Sequence, residues 1–224
     1  MFEKLSLIWK GDAPLKDEYR QFVKMLNKAR ELYLMILHVM NTGKGMEELE
    51  EVVYKTDIEI NKMERRIRKA LVTHLASYPG RQITGCLVLM SIVKDAERLG
   101  DFCKNMYEAM TYWCHSCADM YYADQLADFK KYVSAVFDST IKAFETEDDV
   151  LAAEIIQDEV KWNKRFDAFI GEVANSHVTA NEAVCTVLMV RTLKRLQAHL
   201  SNIASSVVLP VHHIDHRPKH LRDQ

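Results

Sequence analysis

The chain has 224 residues, 48% of them hydrophobic, with a formal net charge of -2 and only 7 glycines and 4 prolines. That supplies a sizeable core, and so few turn formers exclude a chain of many short strands. Interspersed charges exclude the concentrated basic surface that nucleic acid requires, and five cysteines, too few for a disulfide framework, read as reduced thiols of a cytoplasmic protein.

The opening MFEKLSLIWKGDAP has a short apolar run and no small-residue cleavage site, so it does not read as a signal peptide. A first helix is predicted from about Leu15 to Asn41, where Phe22, Met25, Ala29, Leu32, Tyr33, Ile36 and Met40 form one apolar stripe. NTGKG ends it with residues that tolerate a left-handed backbone. The second runs from about Met46 to Ser77 and stops at YPGR, because Pro79 cannot continue a helix. The third is predicted from about Gln82 to Ala118, and the fourth from about Gln125 to Phe144. A fifth follows ETEDD and ends near Asn175. The sixth starts at VTANEA, where Thr179 or Asn181 serves as cap, and runs to about Val208 before Pro210. The remainder, VHHIDHRPKHLRDQ, reads as a loose polar tail. The longest apolar runs, CLVLMSIV and AVCTVLMV, are too short to span a membrane.

The third and sixth helices repeat one another. AERLGDFCKNM (Ala96 to Met106) aligns without gaps to LKRLQAHLSNI (Leu193 to Ile203), pairing Arg98 with Arg195, Leu99 with Leu196 and Asn105 with Asn202. DIEIN, ending at Asn61, sits more loosely against EVKWN, ending at Asn163. Two matches in the same order point to a duplicated three-helix unit. The expected fold is all-α: two tandem antiparallel three-helix bundles, end to end or side by side. Residues 1–120 would form the first, 121–210 a degenerate second, and 211–224 the polar His-rich tail.

AERLGDFCKNM, preceded by Asp95, resembles the third-helix motif of the PhoU family, an E/D-x-x-x-D pattern set in LERIGD…NI. Asp57, Asn61 and Glu64 resemble that family's D-x-x-x-N-x-x-E on the second helix, and the proline before the third helix fits too. The resemblance spans nearly the whole chain, its second half carried by helical layout and RL…N. It implies two three-helix bundles with paired metal sites. It also implies non-enzymatic, cytoplasmic regulation at a phosphate transporter and, often, at a sensor histidine kinase. The second half departs from the pattern, because Lys194 and Ala198 stand where Glu97 and Asp101 stand in the first. A lysine repels a cation and alanine offers no oxygen, so at most one such site is expected.

Glu97 and Asp101 stack on one helix face at i,i+4 and can converge on one cation. They are read on the polar side of the third helix, with Lys94, Lys104 and Glu108, opposite Leu89, Ile92, Leu99, Gly100 and Cys103. Gly100 costs the helix roughly 1 kcal/mol relative to alanine, which close packing of a neighbouring helix would explain. Asp57 and Glu64 are the candidates to complete a metal shell from the second helix, with Asn61 either adding an amide oxygen or hydrogen-bonding across the bundle. Such oxygen ligands suit iron, manganese, magnesium or calcium, with zinc also admitted, and two carboxylates alone bind none tightly. The alternative is surface pairing: Lys94 precedes Glu97 by three and Lys104 follows Asp101 by three, at about 0.2–0.5 kcal/mol per pair.

Cys114 and Cys117 have C-x-x-C spacing but lack a βαβ context or two further zinc ligands, and read as thiols near a helix end. His212, His213, His216 and His220 cluster in the tail, where Pro210 and Pro218 remove any helical spacing. Arg191 and Arg195 face an anionic partner or belong to a solvated face. No phosphate loop or nucleophile motif is visible. A ferritin-like enzyme or metal store would usually repeat Glu-x-x-His on two helices, a pair absent here, and a metal-free helical interaction module is the plainer alternative. Self-association into a homo-oligomer is compatible with all three readings.

Overall fold

The computed structural model describes residues 13–113, 117–209 and Ile214. Six helices follow one another: α1 (Ala13–Thr42), α2 (Met46–Ser77), α3 (Ile83–Thr111), α4 (Ala123–Thr146), α5 (Asp149–Ala174) and α6 (Ala180–Val208). A single 3-10 turn, Cys117–Asp119, lies between α3 and α4, and no strand occurs among the described residues. Helices α1–α3 form one bundle and α4–α6 the other.

The ends of the helices follow from local chemistry. Gly45 caps α2 with φ 89°, a left-handed backbone that costs glycine nothing. Asp148 caps α5 by accepting a hydrogen bond from the Leu151 amide at 2.9 Å, and Thr179, rather than Asn181, caps α6 through Glu182 N at 3.2 Å. The third helix is shorter than its sequence suggests, ending at Thr111 and not near Ala118. The amides of Tyr112 and Trp113 reach back three residues to Ala109 and Met110, tightening the last turn. The Tyr112 carbonyl, which a longer helix would use internally, instead accepts from Asn181 Nδ2 at 2.9 Å.

The bundles lie side by side. Helices α3 and α6 run antiparallel against each other, joined near one end by Asn181 and Tyr112 and near the middle by Asp95 with His199 and Asn202. Helix α1 packs on α4, with Tyr33 stacked on Phe137 at 5.2 Å and its hydroxyl donating to Lys130 O at 2.9 Å. Buried residues of both bundles, from Phe22 and Ile36 to Phe144 and Leu196, join one continuous core. Ile214 is 7% exposed and belongs to that core as well.

The repeat is visible in the structure. Helices α3 and α6 are each 29 residues long, and the gapless register matches Ile83 with Ala180 and Thr111 with Val208. Phe102 and His199 are equivalent positions, and their rings stack at 5.4 Å. An approximate two-fold axis therefore passes between them.

Candidate functional site

Glycine brings α2 onto α3. A Cβ added at Gly100 would lie 2.9 Å from Ile60 Cδ1, closer than side chains tolerate, and 3.4 Å from its Cγ2. This approach sets Asp57 of α2 beside Lys104 and Asp101 of α3.

The carboxylates here are more enclosed than i,i+4 spacing suggests. Glu97, read on the polar side of its helix, is only 6% exposed, and Glu64 is also buried. The reason is that α3 packs against α1, α2 and α6 together, leaving little of its circumference to solvent. Each acid has a basic neighbour. Lys94 Nζ lies 2.6 Å from Glu97 Oε2, Arg98 donates to Asp101 Oδ2 at 2.8 Å, and Arg68 lies 3.3 Å from Glu64 Oε1. Lys104 Nζ stands between the helices, 3.5 Å from Asp57 Oδ2 and 4.0 Å from Asp101 Oδ1.

These contacts bear on what the site can hold. Glu97 Oε2 is enclosed, with the Lys94 ammonium 2.6 Å away. That oxygen, with Asp57 and Asp101 on facing helices, fits a hard cation in donor chemistry. Against this, the Lys104 ammonium occupies the space where a bridging cation would sit, and no three acidic, histidine or cysteine side chains converge among the described residues. Asn61 does not join the set: its amide donates to Asp57 O, one turn back on its own helix, at 3.0 Å.

The second bundle solves the same problem differently. Lys194, at the position of Glu97, reaches Asp167 Oδ1 of α5 at 2.5 Å, and Ala198 leaves the Asp101 position without oxygen. Buried Glu159, the counterpart of Asp57, accepts from Asn163 Nδ2 at 3.2 Å. Of the C-x-x-C pair, Cys117 is buried, and burial pushes its thiol up to about 11, so it stays protonated near neutral pH. Cys114, His115 and the four tail histidines lie outside the described residues.

One polar cluster was not legible in the sequence. Asp95 Oδ1 lies 2.7 Å from His199 Nδ1 and accepts from Asn202 Nδ2 at 3.0 Å, tying one bundle to the other. Asp95 was visible only as the residue before the third-helix motif. No spacing within either half predicts a partner in the other.

Fold and face together define a tandem three-helix-bundle protein with an acidic, cation-paired seam between its second and third helices. The PhoU domain profile matches residues 22–110 and again 126–207, so both bundles carry it. The chain belongs to the PhoU family. It is 28% identical over 103 residues to a phosphate-specific transport system accessory protein PhoU homolog of Deinococcus radiodurans. That alignment spans 46% of this chain and 47% of the relative, about half of each. The fold is similar to a PhoU of Pseudomonas aeruginosa, with TM-score 0.78, 19% identity and coverage of 87% of this chain and 95% of that one. It is also similar to the phosphate transport system regulatory protein PhoU of Streptococcus pneumoniae, with TM-score 0.76, 18% identity and coverage of 86% and 92%.

Proposed function

We propose that the protein is a non-enzymatic regulator of phosphate uptake, acting on the cytoplasmic side of a phosphate transporter, a membrane-attached sensor histidine kinase, or both. The observation that carries this reading is the family match in both bundles. Two further features agree with it. No helix among the described residues is long and apolar enough to cross a membrane, so the membrane component would be supplied by a partner. Long helices packed on one core also present rigid faces on which a partner can dock without chemistry. The test is co-purification from cells grown in scarce and in abundant phosphate. Recovery of a transporter or sensor subunit in at least one condition is expected, and recovery of neither in both rejects the reading.

The first-bundle carboxylates support a metal reading within that function. Asp57, Glu97 and Asp101, with Glu64 nearby, would hold one iron, manganese, magnesium or zinc ion once Lys104 swung aside, and the second bundle would hold none. The carboxylate pattern kept in the first bundle and lost in the second favours this, while the resident lysines favour a metal-free interaction module. Metal analysis of the protein freed of any affinity tag and of its histidine-rich tail decides between them. Bound metal is expected to disappear in Glu97→Gln/Asp101→Asn and to persist in Lys194→Ala. A wild-type protein that takes up no metal when supplied with each ion establishes the metal-free form.

A further inference from the structure

The contact between α3 and α6 occurs twice around the approximate two-fold axis, once with its polar groups paired and once without. On the paired side Asp95 is 7% exposed and is held by His199 and Asn202. In the repeat register these three residues correspond to Thr192, Phe102 and Asn105. All three line a cavity of about 350 Å³ on the other side of the axis. There the carboxylate is missing. The Thr192 hydroxyl donates to Leu188 O of its own helix at 2.8 Å, and Asn105, the counterpart of Asn202, has no hydrogen-bond partner among the described residues.

The same divergence leaves two arginines without acidic partners among the described residues. Arg191 and Arg195 also line the cavity, and their counterparts in the first bundle are Lys94 and Arg98. Lys94 and Arg98 are paired with Glu97 and Asp101 at 2.6 and 2.8 Å. Arg191 and Arg195 have Lys194 and Ala198 in the corresponding places, and among the described residues neither forms an ion pair. The one acid in the cavity wall, Glu108, is paired with neither of them.

We propose that this cavity binds a phosphate group carried on a small organic body, its oxygens taking the place that the Asp95 carboxylate holds on the paired side. One guanidinium fork already satisfies both oxygens of a carboxylate. Two forks one helical turn apart, with an amide facing them, offer more donors than two oxygens accept, and a tetrahedral oxyanion matches that set. The volume lies in the range of small-molecule sites and exceeds what a bare phosphate fills. Phe102 and Tyr112 in the wall give a planar body apolar surface. Glu108 opposes the negative charge and weakens binding without preventing it.

Titration calorimetry on the full chain tests it, with inorganic phosphate and adenosine monophosphate as probes. Saturable binding of the monophosphate is expected, tighter than that of inorganic phosphate; equal affinities would support the site with free phosphate as its ligand. Arg191→Gln and Arg195→Gln should each weaken binding by about tenfold or more, the scale of a lost charge-assisted hydrogen bond. Glu108→Gln should strengthen it. Thr192→Asp, which restores the carboxylate of the paired side, should abolish it, and Arg98→Gln in the first bundle should leave it unchanged. Both arginines are exposed, so their glutamine variants should melt like the parent, which separates lost binding from lost fold. No saturable binding of either probe at millimolar concentration overturns the proposal, as does binding that survives the double arginine variant.

Discussion

Replacing Gly100 by alanine sets two effects of similar size against each other. Alanine in place of a mid-helix glycine stabilises a helix by about 1 kcal/mol. Here the new methyl would meet Ile60 Cδ1 at 2.9 Å and Cγ2 at 3.4 Å, and Ile60 is buried with little room to yield. Turning the isoleucine off its rotamer costs about 0.5–1.5 kcal/mol, and overpacking of a tight core costs about 1–3 kcal/mol in all. Gly100→Ala alone should therefore destabilise the protein by about 1 kcal/mol net. Ile60→Val alone should cost about 0.5–1.5 kcal/mol, but it removes Cδ1. In that background the same alanine should become stabilising by up to about 1 kcal/mol. The expected signature is a reversal of sign, with a coupling of about 2 kcal/mol in the double-mutant cycle. Urea denaturation of the four proteins measures it. If Gly100→Ala stabilises both backgrounds equally, α2 does not approach α3 as described, and the placing of Asp57 beside Asp101 fails with it.

Two further outcomes are expected. Gln197 is fully buried with neither amide atom hydrogen-bonded among the described residues, so Gln197→Met should stabilise the protein by about 1–3 kcal/mol, read as a raised melting temperature; a lowered one would mean that the amide has a partner. Burial holds the Tyr33 phenol well above its usual range, with Cys103 adding to the effect. Below about pH 10 this phenol is neutral in both states and contributes no pH dependence. Above it the unfolded chain releases a proton that the folded chain keeps, so stability falls by about 1.4 kcal/mol per pH unit from this group. Urea denaturation between pH 8 and 11 should show that slope relieved in Tyr33→Phe, and equal slopes in the two proteins would refute it.

The helices and their duplication were legible because each rests on a local signal. Apolar periodicity drew α1 and α2, proline and glycine placed the turns, and the RL…N match set α3 on α6. Even Gly100 pointed correctly to a close neighbour, though not to Ile60. The end of α3 was not legible, because it depends on Asn181, far along the chain, occupying the Tyr112 carbonyl. Glu97 misled for a related reason. Its i,i+4 pattern with Asp101 looks solvent-facing on an isolated helix, but a helix with neighbours on three sides has little polar face left. Lys104 neighbours Asp101 in sequence; only the packing of α2 shows that it reaches Asp57 as well.

The Asp95 contact also governs which halves can associate. Two copies of the first unit, brought together as α3 meets α6, would set Asp95 against Phe102 and Asn105, with no imidazole for the carboxylate. Two copies of the second would set His199 and Asn202 against Thr192, with no carboxylate at all. Only the unlike pair completes the hydrogen bonds seen between Asp95, His199 and Asn202. A symmetric ancestor made of identical units would have formed each contact twice; this chain keeps one of the two. The halves have become complementary, so severed bundles produced as separate polypeptides should find each other in preference to themselves.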